Sequence, residues 1–448
     1  MKKTLLMLAC ATVALHTQVA AQRLCGFDLQ RQAMIAKNPA AAQWFEQRRN
    51  SLQGIADNYL NNTVANKTTA TASPIPVIFH IIVDSAQFNQ LGGTTGIKKR
   101  CDSQIAVLNR DFNRQNSDST LIPAGFKPLY ANVGIRFGLA HAAPSGAYSP
   151  GYDVKIITAT GFTGSTSSYA TAKHAPTGTD AWDVNKYLNV WCINFLDVSG
   201  LLGLTTPKSF TTAWPPMPAE EVGICLLYNA LGKKTVASES YPSGIDKGRT
   251  LTHEMGHFFE IWHVWGDDNG HCPGSPGGAD DGIADTPPQA DMNYGNPALP
   301  KYDSCTSTGN GVMCMNYMDY TDDGAMHMFT VMQANVMKAQ VASTGENYTL
   351  TQQGGLLLDV ASAEDNSANF EVYPNPATGT VNVATGDANA GLKRISIINI
   401  VGQEVMTMDT QGLQKEIFSI DLSGMSKGIY FVKCNFASGS ITRKLLLQ

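Results

Sequence analysis

The sequence has little charge and no long apolar run. Charged residues make up 15% of the 448 positions and the formal net charge is -5. That balance gives no reason to expect a nucleic acid partner, and it lacks the charge density of coiled coils or acidic disordered chains. The apolar run from Leu5 to Leu15 is too short to cross a bilayer as a helix, so no stable membrane span is expected. Cysteine is sparse as well, 9 in the whole chain, too few for a cystine-stapled scaffold, so a hydrophobic core must hold the fold. With 41 Gly and 21 Pro, loop-rich globular domains remain, and the length calls for more than one of them.

The amino terminus supplies the compartment. Lys2 and Lys3 precede the apolar run, and Val19 and Ala21 are the small residues read by signal peptidase before Gln22. Residues 1–21 are therefore expected to be a signal peptide and the protein to leave the cytoplasm. Cys10 falls in that leader, which leaves Cys25, Cys101, Cys192, Cys225, Cys272, Cys305, Cys314 and Cys434 where disulfides are permitted. Their pairing is not readable from sequence.

Changes of texture divide the rest. Residues 22–73 are Ala-, Gln- and Arg-rich with helical spacing to about Tyr59, then polar from Asn61 to Ser73, which predicts a small helical segment and an exposed linker. From Val77 to Val83 the chain reads as a buried strand; Ile97 to Phe112 reads as a helix, and Ile135–Leu139 and Leu188–Phe195 read as further strands. This predicts an α/β (α+β) domain with a mixed sheet over 74–345. A Thr-, Gln-, Gly- and Ser-rich linker is expected over 346–369. Short alternating strands such as Val381–Val383, Ile395–Ile400 and Ile429–Lys433 then predict an antiparallel β-sandwich over 370–448.

The chemistry concentrates in Thr252-His253-Glu254-Met255-Gly256-His257 and the following run to His263. On a helix His253 and His257 face the same way and can meet one ion. His263 reaches that ion only if the helix stops and the chain turns sharply. Three neutral imidazoles suit Zn2+ and leave a position open for water, from which Glu254 can take a proton. With 9 histidines in 448 residues, chance yields two histidines and a glutamate in this pattern in roughly one chain in a hundred; the third histidine lowers this to roughly one in ten thousand.

At these residues the chain resembles the metzincins, and within them the pappalysin family, whose bacterial members are called cytophagalysins. Gly248-Arg249-Thr250-Leu251-Thr252, Asp280 to Gln289, Met315-Asn316-Tyr317-Met318-Asp319-Tyr320 and Met326 to Thr330 are similar to the family's successive signatures. The resemblance implies a secreted zinc endopeptidase with a twisted mixed sheet and a zinc-binding active-site helix, acting on extracellular proteins or peptides. It implies Met318 as the methionine beneath the metal, Tyr320 as an oxyanion donor, and structural Ca2+ held by Asp281, Asp285 and Thr286. It also implies a Cys272–Cys305 disulfide and, from Arg23-Leu24-Cys25-Gly26, a thiolate at Cys25 that closes the zinc site in a zymogen. Substrate is expected to align on an edge strand near Leu201–Thr205.

Two departures stand out. Glu260 occupies the position of a family glycine in left-handed conformation, a strain of about 1–2 kcal/mol. Asn296 and Ala325 stand where a second disulfide is expected. Glu260 motivates an alternative reading, a catalytically weak zinc-holding surface binding protein. The carboxy-terminal region resembles the sorting domain of the type IX secretion system of Bacteroidetes, on Tyr373-Pro374-Asn375-Pro376, Gly402-Gln403-Glu404-Val405 and Gly428-Ile429-Tyr430-Phe431-Val432. It implies the secretion machinery as a partner and a cell-surface or extracellular destination.

Overall fold

A computed structural model of the chain describes residues 23–66, 74–164, 169–213, 216–268, 270–275, 278, 280–357, 370–384, 392–400, 402–413, 415, 417–436 and 439–448. The leader expected over 1–21 lies outside the described residues. Two compact units emerge, Met1–Leu357 and Leu358–Gln448.

In chain order the first unit contains β1 (Leu24–Cys25), α1 (Phe27–Lys37), α2 (Ala40–Asn66), β2 (Ile75–Val83), α3 (Ser85–Gln90), α4 (Gly93–Phe112), β3 (Phe137–Leu139), β4 (Tyr152–Ile156), β5 (Leu188–Ile193), β6 (Leu201–Thr206), β7 (Gly223–Leu227), α5 (Arg249–Phe258) and α6 (Val331–Val341). The strands form one mixed sheet in the order β1-β6-β7-β5-β2-β3, with β4 also paired to β2. All pairings are parallel except β6 with β7. A central parallel strand is covered on both faces and reads as a continuous apolar run; all nine residues of β2 are buried. Val77, Phe79 and Ile81 pack with Ile97, Leu108 and Phe112 of α4 in the main core, while Ile82 joins Trp191 on the other face.

Three sequence expectations shift. The strand predicted over Ile135–Leu139 is confined to Phe137–Leu139, because Asn109 of α4 and Asn113 just after it hydrogen-bond the backbone of Phe137 and Ile135. The polar stretch from Asn61, expected as linker, continues α2 as far as Asn66; Asn and Thr lower helix propensity by only tenths of a kcal/mol, and extending a formed helix is easy. The linker expected from 346 is taken up by the first unit as far as Leu357. Leu350 is fully buried there, and the Leu356 carbonyl accepts from the amides of His141 and Ala142.

The second unit contains β8 (Glu371–Tyr373), β9 (Thr380–Ala384), β10 (Leu392–Asn399), β11 (Glu404–Asp409), β12 (Ile417–Asp421), β13 (Gly428–Phe436) and β14 (Gly439–Leu447). They form a four-stranded sheet β11-β10-β13-β14 and a three-stranded sheet β12-β9-β8, antiparallel throughout. Alternate residues of both sheets, among them Val381, Val383, Ile395, Ile397, Phe418, Ile420, Val432 and Cys434, share one core, as a two-layer sandwich requires. Because that core is its own, residues 370–448 expressed alone are expected to give a β-type circular dichroism spectrum and one cooperative thermal transition. A non-cooperative melt would contradict an independent core.

Candidate active site

Helix α5 is held at its start by charge. Arg249 is buried and donates to the carbonyls of Asp323 and Met326 and to the carboxylates of Asp111 and Asp118. Asp323 in turn accepts from the amides of Lys247 and Arg249 at 2.8 and 3.2 Å, a carboxylate at a helix amino terminus. Every residue of the helix is buried, so its histidines cannot wander.

The end of α5 is set by a Schellman turn. The amide of Ile261 donates to the Gly256 carbonyl and that of Glu260 to the His257 carbonyl, both at 2.9 Å, which places Glu260 in left-handed conformation at φ 74. That conformation strains a residue with a Cβ by about 1–2 kcal/mol. The side chain offsets it: the carboxylate accepts from Ser209 Oγ at 2.5 Å and from Arg48 Nε at 3.0 Å. Burial pushes the Glu260 carboxyl up and Arg48 opposes that shift. Arg48, on α2, also bonds Glu346 at 2.8 Å.

The turn brings His263 back onto His253 and His257. Nε2 of His263 lies 3.0 Å from Nε2 of His257 and 3.3 Å from that of His253. Each Nδ1 is engaged: His253 with the Tyr317 carbonyl at 2.7 Å, His257 with the Ile261 carbonyl at 2.7 Å, His263 with Asp267 at 2.6 Å. A carbonyl only accepts, so Nδ1 of His253 and His257 carries the proton and Nε2 presents its lone pair. Burial keeps all three rings neutral, driving His253 and His257 well below the ordinary range and His263 down to about 3. Among the described residues, the group placed to hold a metal is these three with Cys25, their ligand atoms all within 4.8 Å of one another. The donor set fits a borderline-soft cation such as zinc.

Glu254 sits beneath β6. Its carboxylate accepts from Thr205 Oγ1 of β6 at 2.6 Å, and burial raises it to about 7. The approach is so close that a Cβ on Gly203 would lie 2.4 Å from Glu254 Oε1. On the other side of α5, a Cβ on Gly256 would lie 2.3 Å from Met318 Sδ, which puts Met318 under the helix as packing. Tyr320 Oη accepts from the Cys25 amide at 3.1 Å, and the Tyr320 ring packs against His263 and Trp265. Asp319 ties this turn to the preceding loop through Asn293 and Gln289.

The amino-terminal segment closes the site. β1 adds in parallel to β6, with Leu24 and Gly26 amides donating to Gly200 and Gly203 carbonyls at 2.9 and 2.8 Å. Cys25 is delivered to the histidines and Arg23 reaches the Thr321 carbonyl and the Asp323 carboxylate at 3.2 and 3.1 Å. The acidic loop behaves differently. Asp281 accepts from Thr286 Oγ1 and the Ile283 amide, whereas Asp285 accepts from Thr330 Oγ1 and the Met332 amide at the start of α6. Asp281 and Thr286 thus come together and Asp285 serves another element. Cys272 and Cys305 form a disulfide, Cα–Cα 5.3 Å. Cys314, unaccounted for in the sequence, is a buried thiol among Ile122, Phe126, Met313 and Met328. Asn296 donates to Asp322 and Gly295 pairs with Thr321, which ties this loop by hydrogen bonds.

Thr205, Asp267, Asp323 and Arg48 were not singled out from the sequence. Only Asp267, four residues after His263, offered a local signal. The tight fit at β6 gives a test: Gly203→Ala is expected to lower stability by about 1–3 kcal/mol in urea unfolding, and an unchanged midpoint would contradict the contact with Glu254.

Comparison with known proteins places this geometry. Residues 173–342 match the family model described as pregnancy-associated plasma protein-A, and residues 371–448 match the secretion system C-terminal sorting domain. An extracellular metalloprotease of Arthroderma otae is 37% identical over 153 residues, 33% of this chain and 48% of the relative, so the chain spans about half the length of that protein. One from Arthroderma benhamiae is 28% identical over 330 residues, 73% of this chain and 87% of the relative. Among solved structures, Tannerella forsythia mature mirolysin in complex with a cleaved peptide shares 34% identity at TM-score 0.56, covering 65% of this chain and 99% of that one. A promirolysin mutant from the same organism shares 31% identity at TM-score 0.63, covering 75% and 100%. The chain therefore belongs to the pappalysin family of metalloproteases and carries a secretion-system sorting domain at residues 371–448.

Proposed function

We propose that the chain is a secreted zinc endopeptidase, made as a zymogen, that hydrolyses peptide bonds in extracellular proteins. The observation that carries this reading is the meeting of three neutral imidazole Nε2 atoms beside a buried carboxylate at the edge of a sheet. His253, His257 and His263 would hold the ion, which would supply Lewis acidity and bring the pKa of a bound water down to about 7. Glu254, anchored by Thr205, takes the proton of the attacking water and passes it to the leaving amine. Tyr320, once released from the Cys25 amide, donates to the carbonyl oxygen as it gains charge. The alternative of a weak surface binder loses its motive, since Glu260 completes a regular helix end.

β6 has its outer edge occupied by β1, and a substrate replaces β1 by strand addition. The pro-segment lies parallel to β6; a substrate entering antiparallel presents its scissile carbonyl to Glu254 and Tyr320. The residue following its scissile bond then falls where Arg23 lies. The Arg23 guanidinium on buried Asp323 supports a basic side chain there. Cys25 is the latency switch in this reading: burial and Glu254 push its thiol up, and a cation held by the imidazoles would favour the thiolate. The sorting domain is the partner of the type IX machinery, and no helix among the described residues is long and apolar enough to cross a membrane. Ca2+ near Asp281 and Thr286 completes the proposal, since burial and the neighbouring Asp280 push the Asp281 carboxyl well up, a strain a cation relieves.

Glu254→Ala is expected to lower kcat/KM on a casein-derived peptide by at least about 10²–10⁴-fold with one zinc per chain retained by metal analysis; equal cleavage by the two proteins ends the protease reading. In the full-length chain Cys25→Ser is expected to cleave a reporter peptide before any processing, where the wild type does not, and equal latency would remove Cys25 from that role. Added calcium is expected to raise the thermal midpoint of chelator-treated protein; no rise would remove calcium from the proposal.

A further inference from the structure

Cys25 divides the closing segment into two anchors. Arg23 on one side enters the Asp323 pocket. Phe27, on the other side, is buried and stacks on the imidazole of His257, ring centroids 4.3 Å apart and planes within 5°. It also meets Trp262 edge-on at 5.6 Å, Phe210 at 5.9 Å and His263 at 6.4 Å.

All four of these rings belong to the part of the chain after residue 74. Phe27 makes no ring contact of this kind with Trp44 or Phe45 of its own helices among the described residues, so it is an insertion into the catalytic part and not the core of the pro-segment. The reverse holds as well. Phe210 and Trp262 are both 2% exposed. The ring partners of Phe210 are Phe27, Trp44 and Phe45. Those of Trp262 are Phe27 and Phe45, with the Arg31 and Arg49 guanidinium groups over its ring. Every one of these partners leaves with the pro-segment. Two large aromatic side chains are then uncovered beside a metal-ligand ring, and each favours renewed burial. Exposed aromatic surface of this kind at a cleft marks a binding site.

We propose that Phe210 and Trp262, with the face of His257, form a specificity pocket for an aromatic or large aliphatic side chain of the substrate, on the amino-terminal side of the scissile bond, and that Phe27 occupies this pocket in the zymogen. This rests on the endopeptidase reading. The pocket lies on the side of Cys25 opposite Arg23, so a cleaved sequence carries an apolar side chain before the scissile bond and a basic one after it. Since the pocket selects by transfer of apolar surface, it distinguishes large from small side chains and tolerates exchange among Phe, Tyr, Trp and Leu.

The test uses full-length protein, activated by removal of the pro-segment, and pairs of peptides identical except for Phe or Ala at each position before the cleaved bond. The ratio of kcat/KM within a pair cancels any difference in active fraction or metal loading. At one position the wild type is expected to prefer Phe by at least about ten-fold, the lower range of discrimination by an apolar pocket. Phe210→Ala is expected to bring that ratio below about three, with Phe210→Leu and Trp262→Phe retaining most of it; should Phe210→Ala not fold, the wild-type ratios and the Trp262→Phe variant decide. Ratios near one at every position, or a ratio unmoved by Phe210→Ala, overturn the inference while leaving the endopeptidase reading intact. Cleavage of no peptide by the activated wild type overturns that reading, and this inference with it.

Discussion

Everything in the site depends on three buried imidazoles that must stay neutral and point at one place. Burial secures the first condition by disfavouring their charged forms. The second is met by fixing the far nitrogen of each ring to an oxygen drawn from a different part of the chain: the Met318 turn through Tyr317, the helix end through Ile261, and the loop after His263 through Asp267. Each histidine therefore reports on the position of a separate element, and the elements in turn are locked to one another. Gly256 admits Met318 to the underside of α5, and Gly203 lets β6 rest on Glu254.

The same burial explains why a closing segment is built into the chain. Without residues 23–66, β6 would become an edge strand and the site beneath it would stand open. The segment covers this surface with one short strand, a thiol, a guanidinium and an aromatic ring, each matched to a feature of the catalytic part. Glu260 belongs to this arrangement. Where the resemblance implies glycine, this chain accepts a strained residue whose carboxylate grips Arg48, so the departure that motivated the weak-binder alternative is a contact between the two parts.

The convergence of the three histidines was legible because helix periodicity and a fixed turn encode it locally: residues 253, 254, 257 and 263 lie within a dozen positions. Buried strand β2 and the alternating strands of the second unit were legible for the same reason. What escaped was set by contacts across long separations. Thr205 is 49 residues from Glu254, and Arg23 is 300 residues from Asp323. Neither has a local period or spacing to betray it. Asp285 shows the converse limit, since its residue type suited a cation but packing turned it to the start of α6.

The proposed chemistry requires that three imidazoles share one cation and that the fourth donor be removable. X-ray absorption at the zinc edge, on the full-length protein and again after removal of the pro-segment, addresses it directly. Three nitrogen scatterers and one sulfur are expected before processing, with the sulfur replaced by oxygen afterwards. A spectrum with fewer than three imidazole shells, or with sulfur still present after processing, would contradict it.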